Sequence, residues 1–150
     1  MLRMSKKMMF ALEAVIDIAF NAGPEPVQSK DITKRQGIPQ RYLEQVMQRL
    51  VHAGVLRGVR GPRGGYRLAR ERRRISVGEI ARVVYELEND GVPDYPGSSA
   101  IGQQVVAPLW RDFQDDTMAR LDGVTLEDLC QRARQCGIEA TGKTRADFTI

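Results

Sequence analysis

Val55-Leu56-Arg57-Gly58-Val59-Arg60-Gly61-Pro62-Arg63-Gly64-Gly65-Tyr66-Arg67-Leu68-Ala69 has the outline of a basic hairpin. Val55 to Val59 reads as a strand, Arg60 to Gly65 as a turn, and Tyr66 to Ala69 as the returning strand, because apolar and β-favouring residues flank a Gly/Pro cluster. The glycines and the proline allow a compact loop whose backbone can lie close to a surface, with Arg60 and Arg63 projecting from it. An arginine at such a tip suits a narrow A·T-rich minor groove, whose negative potential is enhanced. The competing reading is a solvated hairpin whose glycines serve only the turn.

Upstream, Ser5 is an N-cap for a helix to about Ala22, with Met8, Ala11, Leu12, Val15, Ile18 and Ala19 at helical spacing and Gly23-Pro24 as its stop. Ser29-Lys30-Asp31-Ile32 opens a short second helix that runs to about Gln36, with Gly37 closing it. Ile38-Pro39 makes the turn. A third helix then runs from Pro39 or Gln40 to about Ala53, presenting Tyr42 or Leu43, Val46, Met47 and Leu50 inward. Two short helices about a tight glycine-containing turn form a helix-turn-helix pattern, which many helical hairpins share. The basic wing after it narrows the reading to a mainly α, winged helix-turn-helix fold.

Downstream of Arg72-Arg73-Arg74, Ser76-Val77-Gly78-Glu79 is a capping box opening a fourth helix, with Val77, Ile80, Ala81, Val84 and Leu87 inward. Residues 88–100 form a polar loop. Val105, Val106, Leu109, Trp110, Phe113 and Leu121 then mark a long amphipathic helix that either starts near Pro108 or is kinked there. Its apolar face exceeds what one small domain needs, which predicts a second subunit. Thr125 to Asp128 opens a last helix with Leu126, Leu129, Cys130 and Ala133 inward. The expected division is a winged domain over 1–87, a loop over 88–101, the dimerisation and C-terminal helices over 102–136, and a mobile tail over 137–150.

The net charge of +4 is unevenly spread. Residues 1–74 carry 16 Lys and Arg against 6 Asp and Glu, whereas residues 75–150 carry 7 against 13. Such segregation points one half toward a polyanion, and nucleic acid fits an Arg-rich, aromatic-poor folded chain better than a membrane does. No apolar stretch is long enough to span a bilayer, and the N-terminus lacks a signal-peptide core, so a cytoplasmic location is expected. There is no nucleophile paired with a base, no metal-ligand spacing and no phosphate loop, which argues against an enzyme.

The ordered set Ala11-Leu12, Asp31-Ile32, Arg35-Gln36-Gly37-Ile38, Tyr42-Leu43-Glu44-Gln45, Val59-Arg60-Gly61-Pro62, Gly64-Gly65-Tyr66 and Val77-Gly78-Glu79-Ile80 resembles a bacterial winged-helix regulator family. Its members include the iron-sulfur regulator IscR, the nitric-oxide sensor NsrR and the cysteine-metabolism regulator CymR. Weaker similarity continues through Leu109-Trp110-Arg111-Asp112 and Thr125-Leu126, so the resemblance covers about residues 3–135. It implies a homodimer whose third helix enters the major groove of double-stranded DNA while the wing reaches the adjacent minor groove. Arg41 and Glu44 match DNA-facing positions of the recognition helix, and Arg60 matches the wing. The expected DNA-binding set is Ser29, Lys30, Gln40, Arg41, Tyr42, Glu44, Gln45, Arg49, Arg60, Gly61, Arg63 and Gly64. Glutamate can accept from cytosine N4, and Arg or Gln can read guanine or adenine edges.

The resemblance also implies an iron-sulfur cluster in some members, held by three loop cysteines and a ligand near the start of the dimer helix. This chain departs from that pattern: residues 88–107 contain no Cys or His, and Gln104, Val106 and Ala107 occupy the region of the further ligand. Thiolate and imidazole are the usual ligands, so no family-type cluster, and no other cofactor, is expected. The face of helix one presents Met8 and Leu12 rather than ligands. His52 reads as a phosphate neighbour or helix cap. Cys130 and Cys136 lie too far apart along a helix for an intrachain disulfide without local unfolding, and read as ordinary buried or semi-buried thiols or as a redox switch. The expected function is a homodimeric regulator, a repressor at a pseudo-palindromic operator. The alternatives are an adaptor that binds a protein through helix four and the 88–100 loop, or a regulator sensing thiol redox state or a small ligand near Trp110 and Phe113.

Overall fold

The computed structural model describes residues 4–91 and 97–141. Helix α1 (Lys6–Phe20) is capped by Ser5, whose hydroxyl accepts the Met8 N–H at 3.0 Å and donates to Glu88 at 2.6 Å. Ala11, Ala14, Val15, Ile18 and Ala19 are buried along it, and their small side chains let neighbouring helices approach closely. The helix ends at Phe20, short of the expected Ala22, because Asn21 caps it through its backbone N–H and side-chain amide, both donated to the Asp17 carbonyl.

Helix α2 (Ser29–Gln36) ends at Gly37, whose φ of +66° is the left-handed cap that glycine adopts without strain. Helix α3 (Gln40–His52) follows and buries Leu43, Val46, Met47 and Leu50. Strands β1 (Leu56–Val59) and β2 (Gly65–Leu68) pair antiparallel in the register Leu56 to Leu68 and Val59 to Gly65. The fold is therefore the expected mainly α, winged helix-turn-helix. An unanticipated bridge adds Val27 to the edge of the wing, with its N–H donated to the Tyr66 carbonyl at 3.0 Å and the Tyr66 N–H returned at 2.8 Å.

The arginine run Arg72–Arg74 forms a short 3₁₀ turn before α4 (Val77–Glu88). Ser76 and Glu79 complete the capping box, satisfying two end donors reciprocally. The chain then enters a π-turn at Gly102–Val106, where the Ala107 N–H reaches back to the Gly102 carbonyl, and continues directly into α5 (Ala107–Asp122). Pro108 thus stands in the first turn of α5, the first of the two expected alternatives, where its missing N–H costs no intrahelical bond; the wider turn ahead of it was not expected. Gly78 and the Arg82–Asp122 ion pair at 2.7 Å bring α4 and the end of α5 together.

Helix α6 (Leu126–Gln135) begins with a second capping box, Thr125 with Asp128. It is stitched to the chain ahead of α4 by the Leu126 N–H donated to the Ile75 carbonyl and the Val77 N–H donated to the Val124 carbonyl. Leu126 and Cys130 are buried in the same core as α1 and α3, while Leu129 and Ala133 are half-buried. Part of the expected 88–100 loop, residues 92–96, and the tail from Gly142 lie outside the described residues.

Candidate nucleic-acid interface

The placement of α2 depends on one buried carboxylate. Asp17 on α1 has a fully buried side chain that accepts two bonds from Arg35, at 2.9 Å and 2.8 Å, and a third from the Gln36 amide at 2.8 Å. This two-pronged pair holds the end of α2 against α1, and Asp17 raises the Arg35 pKa chiefly through the hydrogen bond, with burial opposing it. Ile32 and Ile38, both buried, close the turn beneath it.

With Leu43, Val46, Met47 and Leu50 committed to the core, helical spacing turns Arg41, Gln45, Gln48 and His52 outward, and all four are exposed. Glu44 stands on the flank nearer α2, where the Gln40 amide donates to its carboxylate at 3.1 Å and the Thr33 hydroxyl donates to the Gln40 carbonyl at 2.9 Å. Arg49 lines a shallow groove with Gln45, Gln48, His52 and Leu87. Gln48 is absent from the set expected from sequence, although its spacing of one helical turn from Glu44 and Gln45 would have found it.

Tyr42 lies apart from the others. Its ring tilts against Phe10 at 6.0 Å and its hydroxyl donates to the Lys7 carbonyl at 2.6 Å. Burial, and to a smaller extent Glu88, pushes its phenol up to about 12. In this place Tyr42 anchors α3 to α1.

A second open groove joins the N-terminus of α2 to the wing, and Ser29, Lys30, Val51, Arg60, Gly64 and Tyr66 line it. The Val27 bridge sets its width by tying the chain ahead of α2 to β2. Two glycines permit the tight packing: a Cβ on Gly65 would overlap the Val27 carbonyl, and one on Gly64 would overlap the Val59 carbonyl. Gly61, with φ at +115°, turns the tip. Lys30, Arg41, Arg49 and Arg60 are exposed and have no ion-pair partner among the described residues. Arg63 instead leans toward Glu25 at 3.4 Å, and Arg67 donates to the Gly23 and Pro24 carbonyls. Tyr66 was not among the expected residues. It stands on β2 and lines the groove, and its phenol is raised by burial and then by the charge of Glu44 on α3.

The donor set does not fit a family-type iron-sulfur site. Residues 88–107 offer no thiol or imidazole, and no group of three or more His, Cys, Asp or Glu among the described residues could hold a metal ion. Cys130 is buried in the core, where burial pushes its thiol up against the opposing pull of Arg72; Cys136 is exposed at the end of α6. Trp110 and Phe113 stack at 5.3 Å on the exposed side of α5.

A helix-turn-helix with outward polar residues on its second helix, next to a glycine-tipped basic wing, defines a winged-helix DNA-binding regulator. A family profile described as Rrf2, iron-dependent transcriptional regulator, matches residues 4–132. The HTH-type transcriptional regulator IscR of Cronobacter sakazakii is 36% identical over 156 residues, spanning 99% of this chain and 96% of that protein. IscR of Escherichia coli K12 is 36% identical over 129 residues, 85% of this chain and 80% of its own. Among solved structures, IscR of T. potens superposes with a TM-score of 0.71 at 36% identity, covering 90% of each chain. CymR of B. subtilis, described as the global cysteine regulator, gives 0.66 at 31% identity, covering 88% of this chain and 98% of its own. The chain belongs to the Rrf2 family of transcriptional regulators, which are DNA-binding proteins and not enzymes.

Proposed function

We propose that the protein binds a pseudo-palindromic operator as a homodimer and represses transcription in the cytoplasm, without the iron-sulfur cluster of some relatives. The observation that carries the DNA reading is the convergence of the α2 N-terminus and the wing on one groove, beside an outward recognition face bearing Arg41, Glu44, Gln45 and Arg49. Ser29 and Lys30 contact phosphate at the helix N-terminus, where the backbone dipole favours anions. Arg60 enters the minor groove, Gly61 and Gly64 let the wing backbone approach, and Arg63 exchanges Glu25 for phosphate. Gln40 belongs to this surface as well, and Tyr42 contributes by fixing the angle of α3.

The homodimer reading rests on α5 and the turn that leads into it. Ile101, Val105, Leu109, Val106, Trp110 and Phe113 are all large, apolar and exposed, with Ile101 at 71% and Leu109 at 66%. A contiguous apolar strip of this kind on a small protein marks an interface, and a second α5 is the partner with matching chemistry. The cluster-free reading rests on the donor set: residues 88–107 carry no Cys or His, Cys130 is buried in the core, and Cys136 lies at the end of α6.

Affinity for duplex DNA measured against salt tests the reading, using anaerobically purified protein whose visible spectrum and bound iron are recorded first. The expected result is colourless protein whose affinity falls steeply with salt, and an Arg60→Ala variant that loses most affinity on A·T-flanked sites and about one unit of salt slope. A flat salt response would favour a protein-binding adaptor, and a coloured, iron-containing sample would overturn the cluster-free assignment.

A further inference from the structure

Glu44 is exposed, and a glutamate on a helix surface ordinarily samples several rotamers, so a base contact made by it must first immobilise it. Here two neighbours have already done so. The Gln40 amide N–H is donated to one Glu44 oxygen at 3.1 Å, and the Gln40 carbonyl accepts the Thr33 hydroxyl at 2.9 Å. The chain Thr33, Gln40, Glu44 crosses from α2 to α3 and orients each group in turn: a hydroxyl that donates, an amide that accepts and donates, and a carboxylate whose second oxygen is left for a further donor. Turning Gln40 toward an adenine edge would break both bonds.

We propose that Thr33 and Gln40 are positioning residues that aim Glu44, so that Thr33 sets the preference at the base Glu44 reads without itself touching DNA. The inference rests on the preceding reading, in which α3 lies in the major groove. The chemistry favours one base: a carboxylate with one oxygen held by an amide accepts from an exocyclic amine, is repelled by the carbonyl acceptors of thymine and guanine, and prefers the N4 amine of cytosine to the N6 amine of adenine because the adenine N7 lone pair lies beside N6. The hydroxyl of Thr33 contributes by keeping Gln40 in the rotamer that faces Glu44, and any residue with a hydroxyl at that position keeps the relay intact.

The test is selection from random duplex DNA with the full chain and its Thr33→Val, Thr33→Ser, Gln40→Ala and Glu44→Ala variants. The wild-type chain enriches cytosine at one column of each half-site, and Glu44→Ala erases that preference. Thr33→Val lowers it about three- to tenfold, the span of one net hydrogen bond, while the other columns keep their strength and so report an intact fold. Thr33→Ser restores the column, and Gln40→Ala weakens the same one. The proposal is overturned if Thr33→Val leaves the column unchanged or weakens all columns evenly, if Thr33→Ser behaves like Thr33→Val, or if Gln40→Ala erases an adenine column instead. A wild-type chain that enriches nothing overturns the underlying DNA reading and the relay with it, whereas a Glu44→Ala chain that enriches the wild-type motif with no column altered leaves that reading standing and overturns the relay alone.

Discussion

Asp17 shows how far a single residue reaches in this fold. Its carboxylate has no exposed surface, and Arg35 and Gln36 satisfy it from the far end of α2. Arg35→Ala leaves the buried Asp17 carboxylate with the Gln36 amide alone, and stranding the buried member of such a pair costs about 3 kcal/mol, which a lowered urea midpoint would report. Glu79 gives a pH-dependent counterpart. Burial pushes its carboxyl up, but the Ser76 backbone N–H and the Arg70 guanidinium outweigh this and hold it below 4.5. The resulting stability is complete above pH 4.5 and is lost as pH falls through the lower folded value. Glu79→Gln should therefore flatten the acid limb of the stability profile, and an unchanged limb would assign acid sensitivity to other carboxylates. Sequence showed the charges of Arg60 and Arg63 alike; only the fold distinguishes the free one from the one beside Glu25. Asp17 gave no sequence signal, because nothing in a helical repeat of apolar residues names a partner on the next helix.

At the scale of elements, local chemistry was largely legible. The cap residues Ser5, Ser76, Thr125 and Gly37 all fall where hydrogen-bond donors or a left-handed turn require them. Ser76→Ala should cost about 1 kcal/mol in thermal unfolding by leaving the Glu79 N–H without its acceptor. Two elements were not legible. The Val27 bridge depends on a tertiary pairing across the wing, and the π-turn at Gly102–Val106 extends helical backbone ahead of the start that Pro108 marks. Gly65→Ala tests the first: the new Cβ meets the Val27 carbonyl, so the wing must shift from α2 and DNA affinity should drop while α-helical circular dichroism is kept. Retained affinity would mean that the bridge does not set the spacing between α2 and the wing.

For the whole molecule, the basic residues 1–74 include α3 and the wing and the acidic residues 75–150 include α5, while Arg72 and Glu127 pair across the two halves. The charge segregation and the excess apolar face of α5 were both readable from sequence, because each is a property of composition along one element. How α6 returns to the core was not readable, since it depends on two long-range hydrogen bonds, from the Leu126 N–H to the Ile75 carbonyl and from the Val77 N–H to the Val124 carbonyl. Leu109→Glu should convert a dimer to a folded monomer by sedimentation, because Leu109 is 66% exposed within the chain and contributes little to its core. A persistent dimer would place the interface elsewhere. The most direct test of the account is selection from random duplex DNA at moderate salt by anaerobically purified protein. Enrichment of an inverted repeat, with half-sites about one helical turn apart or a multiple of it, is the predicted result. Isolated half-sites with no preferred spacing, or no enrichment from a folded dimer, would contradict it.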